Sequence, residues 1–193
     1  MTSAIRILGI GGTARAGSSS ERVVRQALAA AAERGAEVEL FDGPFIAGLP
    51  LYVPDRTERT DAECRFVEAV RRCDGIIVGS PGYHGSLSGP IKNILDLLED
   101  LSRDERPYLD GRAFGAIVTA YGWQACGTTL VAMRSIAHAL RAWPTPFGAA
   151  VNASAPLFDA NGDCLDPKVA EQLAIVGRQV VDFARWRRSD PMA

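Results

Sequence analysis

The chain has 193 residues, of which 47% are hydrophobic, and a formal net charge of −2. That content supports a substantial core, and the near-neutral balance excludes a broad basic surface of the kind that nucleic-acid binding needs. Arg185, Arg187 and Arg188 do cluster, but at the end of the last predicted helix, where cations favour the helix dipole.

Apolar runs and helical patterns alternate from the first residues onward. Residues 4–10 read as a buried strand, and Val23, Val24, Ala27, Leu28 and Ala31 give a helical apolar face over 19–34. A strand over 36–41 follows, then a long connection from Gly43 to Arg59 with Pro44, Pro50 and Pro54. The apolar centre of this connection, Leu49-Pro50-Leu51-Tyr52-Val53, predicts packing on the rest of the fold or on a second subunit. A helix is expected over 60–72, opened by the capping-box pair Thr60 and Glu63. Strands at 75–80 and 113–119 are apolar on both faces, as in the centre of a parallel sheet. Between them, Ile91, Ile94, Leu95, Leu98 and Leu101 form a core stripe on a helix over 89–101, where Lys92 and Asp96 are spaced to pair. A helix over 127–141, a strand over 146–151 and a helix over 167–186 complete the pattern, the last with Asp166 as N-cap and Pro167 at its first position. Five βα units predict one doubly wound α/β domain over residues 1–193, a five-stranded parallel sheet with helices on both faces.

The four cysteines show no metal-binding spacing, there are only two histidines, and no apolar run is long enough to span a membrane. Neither a leader-like segment nor a membrane span is expected, which predicts a cytoplasmic protein with small, buried, reduced thiols. His138, among apolar helical neighbours, reads as structural, and Trp123 as a packing residue.

The richest stretch is Gly11-Gly12-Thr13-Ala14-Arg15-Ala16-Gly17-Ser18-Ser19-Ser20, a loop between a strand and a helix. Such a junction points backbone N–H groups and the positive helix end at one spot, which suits a phosphate. The loop lacks the Gly-Lys-Ser/Thr ending of a nucleoside-triphosphate loop. Gly9, Gly11 and Ala14 formally meet the dinucleotide fingerprint, with Asp42 as a possible ribose acid. However, Thr13, Ser18, Ser19 and Ser20 beside Arg15 exceed what a helix cap needs, and they fit a terminal phosphate better than a bridging one. The loops after the third and fourth strands should share that ligand. The first runs Ser80-Pro81-Gly82-Tyr83-His84-Gly85-Ser86 and can lay backbone along a flat heterocycle; the second, from Thr119 to Thr128, carries Tyr121, Gly122, Trp123 and Cys126. A phosphate and a flat ring together suggest FMN.

These motifs resemble the NAD(P)H-dependent FMN reductase family, flavodoxin-like flavoproteins that include quinone, azo-dye and chromate reductases. The family's Gly-Ser-x-Arg followed by Ser residues appears here as Gly12-Thr13-Ala14-Arg15, then Ser18-Ser19-Ser20. Its Thr-Pro-Glu-Tyr-Asn-Gly-Ser, then Gly-x-x-Lys-Asn-x-x-Asp, appears as Ser80 to Ser86, then Gly89, Lys92, Asn93 and Asp96. Leu49-Pro50-Leu51-Tyr52 and Asp55 also match the family's long loop. The departures include Thr13 for Ser, Gly82 for Glu and His84 for Asn.

The resemblance implies that Thr13, Arg15, Ser18, Ser19 and Ser20 hold the FMN phosphate. It implies that Pro81, Gly82, Tyr83, His84, Gly85 and Ser86 border the ring, with Tyr121 and Gly122 on its other side. It further implies hydride uptake from NADPH or NADH and ping-pong delivery to a flavin, quinone, azo or metal acceptor, or to a flavin-using monooxygenase, with no catalytic side chain. It implies a homodimer or homotetramer with the long loop and helix 89–101 as contacts. A flavodoxin-type electron carrier and an NAD-binding Rossmann protein are the alternatives.

Overall fold

The computed structural model describes residues 4–189. Its strands are β1 (Arg6–Ile10), β2 (Glu37–Phe41), β3 (Gly75–Pro81), β4 (Ala113–Ala120), β5 (Trp143–Pro144) and β6 (Ala149–Asn152). Its helices are α1 (Ser19–Glu33), α2 (Gly43–Ala47), α3 (Asp61–Arg72), α4 (Gly89–Asp96), α5 (Trp123–Ala139) and α6 (Pro167–Ser189). All pairings are parallel, in the order β2-β1-β3-β4-β5, with β6 also paired to β4. This is the doubly wound order of flavodoxin-type sheets, with its switch point between β1 and β3.

Alternate strand residues face opposite layers, because the side-chain period of a strand is two. Ile7, Ile77 and Ile117 pack with Val24, Val176 and Val180 of α1 and α6. Leu8, Ile76, Val78 and Phe114 pack with Phe66, Ile94 and Met133 on the other face, beneath α3, α4 and α5. The stripe Ile91, Ile94, Leu95, Leu98 and Leu101 is fully buried there, as its spacing predicts.

Three expected elements differ. The helix over 89–101 ends at Asp96 and tightens into a 3-10 segment over Leu97–Leu101. The strand expected over 146–151 starts later, as β6, and the short β5 precedes it outside that range. Ala113 pairs with Trp143, whereas Ile117 pairs with Ala149, so two extra residues bulge between β5 and β6. The long connection contains α2, which is capped by Asp42: its carboxylate accepts the N–H of Phe45 at 3.0 Å. Asp42 therefore closes a helix end and is not a free ribose acid.

The rest of that connection is pinned at several points. Asn93 of α4 accepts the N–H of Tyr52 at 2.8 Å and donates to the carbonyl of Pro50 at 2.9 Å. Arg59 makes a two-pronged bridge to Asp100 at 2.8 and 2.9 Å and lies over the Tyr52 ring. Arg56 pairs with Glu63, which also closes the expected capping box with Thr60. Burial pushes the Glu63 carboxyl up, but the hydrogen bonds from Thr60 and Arg56 outweigh it and hold the group below its ordinary range. Leu49 is buried, while Leu51 and Val53 are exposed, Leu51 at 79%.

Candidate functional site

The connections leaving the C-terminal ends of β1, β3 and β4 meet at one cleft. Thr13, Arg15, Ser18, Ser19, Ser20, Pro81, Gly82, Tyr83 and Tyr121 line it, together with Thr119, Ala120 and Ala153. Nine residues expected at a shared site thus converge from three loops distant in sequence. His84, Gly85, Ser86 and Gly122 are not part of this lining.

At one end of the cleft lies the start of α1. Ser18 is its N-cap; its hydroxyl accepts the N–H of Glu21 at 3.3 Å and lies 3.3 Å from the hydroxyl of Ser20. The amides of Ser19 and Ser20, in the first turn, have no carbonyl four residues back within the helix to bond. The Thr13 hydroxyl accepts the N–H of Arg15 at 3.2 Å and so shapes the turn. Among the described residues, the Arg15 guanidinium makes no hydrogen bond or ion pair, and it is exposed. Hydroxyls, helix-end amides and a disengaged guanidinium form a donor set for a dianionic phosphate.

Close packing brings these donors together. A Cβ on Gly12 would sit 2.3 Å from the Ser20 hydroxyl and 2.9 Å from the carbonyl of Gly79. A Cβ on Gly79 would sit 2.6 Å from the carbonyl of Ser20. The absence of two side chains therefore lets the start of α1 rest on β3.

The other end of the cleft is built differently. Tyr83 and Ser86 exchange backbone hydrogen bonds at 2.9 and 3.0 Å, enclosing His84 and Gly85 at φ 52° and 85°. This is a two-residue hairpin turn with positive φ at both centres, as in type I′. Asn-Gly is the favoured pair in such a turn, and here His84 occupies the Asn place. His84 is exposed on the turn and outside the cleft lining.

Gly82 sits against α5. A Cβ there would meet the carbonyl of Ala125 and the hydroxyl of Thr129, both at 3.0 Å. The Thr129 hydroxyl donates to the carbonyl of Ser86 at 3.3 Å and anchors the turn to α5.

The stretch from Thr119 to Thr128 is shorter as a loop than expected, because α5 begins at Trp123, with Gly122 as its N-cap. Trp123 at that first position is 66% exposed and is not a packing residue. Tyr121 is 83% exposed at the cleft mouth. Cys126 falls on the helix, fully buried, with its thiol donating to the carbonyl of Val151 at 3.4 Å; burial pushes its pKa up and keeps it protonated. Cys73 is likewise buried, its pKa pushed up to about 11 by burial, whereas Cys64 is exposed and Cys164 half-buried, so only two thiols are buried as expected. His138 is exposed near the end of α5 and does not belong to the core. Lys92 and Asp96 form the expected pair at 2.5 Å, on the surface. Among the described residues no cluster could hold a metal ion, and no helix is long and apolar enough to cross a membrane.

Sequence reasoning missed Ser88, Ala153 and Glu21. Ser88 caps α4 and donates its hydroxyl to the carbonyl of Gly12 at 2.8 Å, joining the first and second loops. Its own N–H goes to the hydroxyl of Ser80 at 2.9 Å. The run Ser88-Gly89-Pro90 carries an N-cap signal ahead of a helical proline. Nothing in the sequence marks Ala153, which reaches the cleft because it directly follows β6.

A family model described as NADPH-dependent FMN reductase matches residues 5–155. The chain is 30% identical to an NAD(P)H-dependent FMN reductase of Pseudomonas aeruginosa, over 97% of this chain and 98% of that protein. It is 32% identical to a probable NADPH:quinone oxidoreductase of Oryza sativa subsp. japonica, over 88% of this chain and 84% of the other. In fold it is similar to FerB, a flavoenzyme NAD(P)H:(acceptor) oxidoreductase from Paracoccus denitrificans, with a TM-score of 0.74 at 20% identity, covering 96% and 99% of the two chains. Membership extends over the phosphate-type loop, the hairpin turn and β6, and the chain belongs to the NADPH-dependent FMN reductase family of flavodoxin-like oxidoreductases, whose flavin is FMN and whose electron donor is a reduced nicotinamide nucleotide.

Proposed function

We propose that the cleft between β1, β3 and β4 holds FMN and that the protein passes electrons from NADPH or NADH to a small-molecule acceptor. The observation that carries this reading is the convergence of Thr13, Arg15 and Ser18–Ser20 with Pro81, Gly82, Tyr83 and Tyr121 on one cleft. The hydroxyls, the first-turn amides and Arg15 suit the phosphate. Pro81, Ala120 and Ala153 offer low, apolar walls for a flat ring, and Tyr83 and Tyr121 flank its open side.

FMN, when bound, supplies the hydride-accepting and electron-donating chemistry. The residues bind, orient and shield; none of the side chains lining the cleft is placed as an acid or base. With nicotinamide and acceptor both approaching the exposed side near Tyr83 and Tyr121, the two would take turns, a ping-pong order. Free flavins, quinones, azo compounds and metal ions are the acceptor classes. A flavin-using monooxygenase is the macromolecular alternative as recipient.

The protein is read as a cytoplasmic homodimer or homotetramer working as one FMN-binding unit. The exposed Leu51 and Val53 on a loop otherwise firmly pinned support a subunit contact there. Anaerobic mixing of FMN-loaded protein with NADPH and NADH, followed by a small acceptor panel, tests the function. Bleaching of the flavin colour, with parallel lines in double-reciprocal plots, is expected. A flavin that neither nucleotide bleaches would indicate an electron carrier, and a chain that does not bind FMN would restore the dinucleotide-binding alternative.

A further inference from the structure

Glu21 is not among the residues lining the cleft, yet its carboxylate is 3% exposed at the third position of α1. One oxygen, Oε1, accepts from Arg25 Nε at 3.0 Å and Nη2 at 2.9 Å. The other, Oε2, accepts the backbone N–H of Gly17 at 3.2 Å and of Gly43 at 3.1 Å. Gly17 belongs to the Gly11–Ser20 loop, and Gly43 opens α2. Gly43 packs under that loop. A Cβ there would lie 2.6 Å from the carbonyl carbon and oxygen of Arg15 and 2.9 Å from the carbonyl oxygen of Thr13. A single carboxylate oxygen therefore ties the end of the loop to the surface on which its middle rests. A negative charge beside an anion site opposes binding by Coulomb's law, whereas the first turn of α1 and the Arg25 guanidinium favour it, so charge alone does not say why it sits on two loop amides. Geometry does: a carboxylate oxygen can accept two N–H donors while its neighbour takes a bidentate arginine.

We infer that Glu21 is a positioning residue for phosphate binding: it fixes the backbone carrying Thr13 and Arg15 before the ligand arrives, and does not touch the ligand. This rests on the reading of Gly11–Ser20 as the FMN phosphate loop. Preorganisation lowers the ordering cost that binding would otherwise carry.

The test compares FMN with riboflavin, which lacks the phosphate, by fluorescence titration of the full chain and of Glu21→Gln. Glutamine presents one oxygen and an NH2 group, so it cannot keep both amides and Arg25. FMN affinity is expected to fall roughly tenfold while riboflavin affinity changes less than about twofold. Arg25→Met leaves both amide contacts and should cause a smaller loss. Tighter FMN binding in Glu21→Gln, or an equal loss for both flavins, would overturn the inference. Should the variant not fold, amide exchange in the unaltered protein decides: the Gly17 and Gly43 amides must be protected without ligand, and open-loop rates would overturn it. Wild-type protein that does not prefer FMN to riboflavin defeats the phosphate reading and the inference together, whereas a preference that survives Glu21→Gln defeats only the role of Glu21.

Discussion

The two ends of the cleft are built on different principles. At the start of α1, Ser18, Ser20 and Glu21 are buried, and they bond to one another or to nearby backbone. At the mouth, Tyr83 and Tyr121 are exposed, and His84 and Trp123 lie exposed on the same hairpin turn and helix start but outside the lining. One end is suited to gripping a fixed chemical group, and the other presents aromatic surface to whatever arrives. A family that keeps one cofactor while its members reduce different acceptors needs that division. Binding specificity comes from polar groups held in place before the ligand arrives, whereas exposed aromatic faces accommodate many planar partners.

Four substitutions or conditions would break or sharpen the contrast. Gly12→Ala should have the largest effect, because its Cβ would collide with the Ser20 side chain and the Gly79 carbonyl. A destabilisation of about 3 kcal/mol in urea unfolding is expected, together with loss of measurable FMN binding. Ser88→Ala removes both the cap of α4 and the bond to the Gly12 carbonyl that couples the two ends. It should cost about 2 kcal/mol by the same measurement and weaken FMN binding less than Gly12→Ala does.

Acidification probes the long connection. The Glu63 pKa lies below its unfolded value, so its contribution is fully present above about pH 4.5 and is lost as pH falls through the lower folded pKa. Glu63→Gln should flatten that part of the stability-versus-pH curve and leave the neutral-pH dependence of FMN affinity unchanged. The smallest effect is expected at the mouth: His84→Asn relieves the positive-φ site and should raise stability by about 0.5 kcal/mol without altering FMN affinity.

Legibility in the sequence follows the same division. The central strands β1, β3 and β4 and the helical faces were readable because burial on both sides of a sheet writes continuous apolar runs, and one-sided burial writes a helical period. The Gly11–Ser20 loop stood out in the sequence because it is local: hydroxyls, Arg15 and the cap of α1 lie within eight residues of sequence, from Thr13 to Ser20. Glu21 was not readable as an organiser, because its partner Gly43 is 22 residues away. The start of α5 at Trp123 was obscured by Gly122 and Gly127, which read as loop, whereas Gly122 is only the cap. His84 illustrates a further limit. Its place in the motif implied a contact with the ring, whereas the turn fixes its backbone at positive φ and it is not among the residues lining the cleft.

In the proposed function, Gly11–Ser20 holds the phosphate of FMN through Arg15 and the hydroxyls. The most direct test of that role is the FMN-to-riboflavin affinity ratio in the wild-type chain and in Arg15→Ala. The predicted result is roughly a hundredfold preference for FMN, falling about tenfold or more in the variant with riboflavin affinity and folding unchanged. Equal affinities for the two flavins in the wild-type chain, or a ratio indifferent to Arg15, would contradict it.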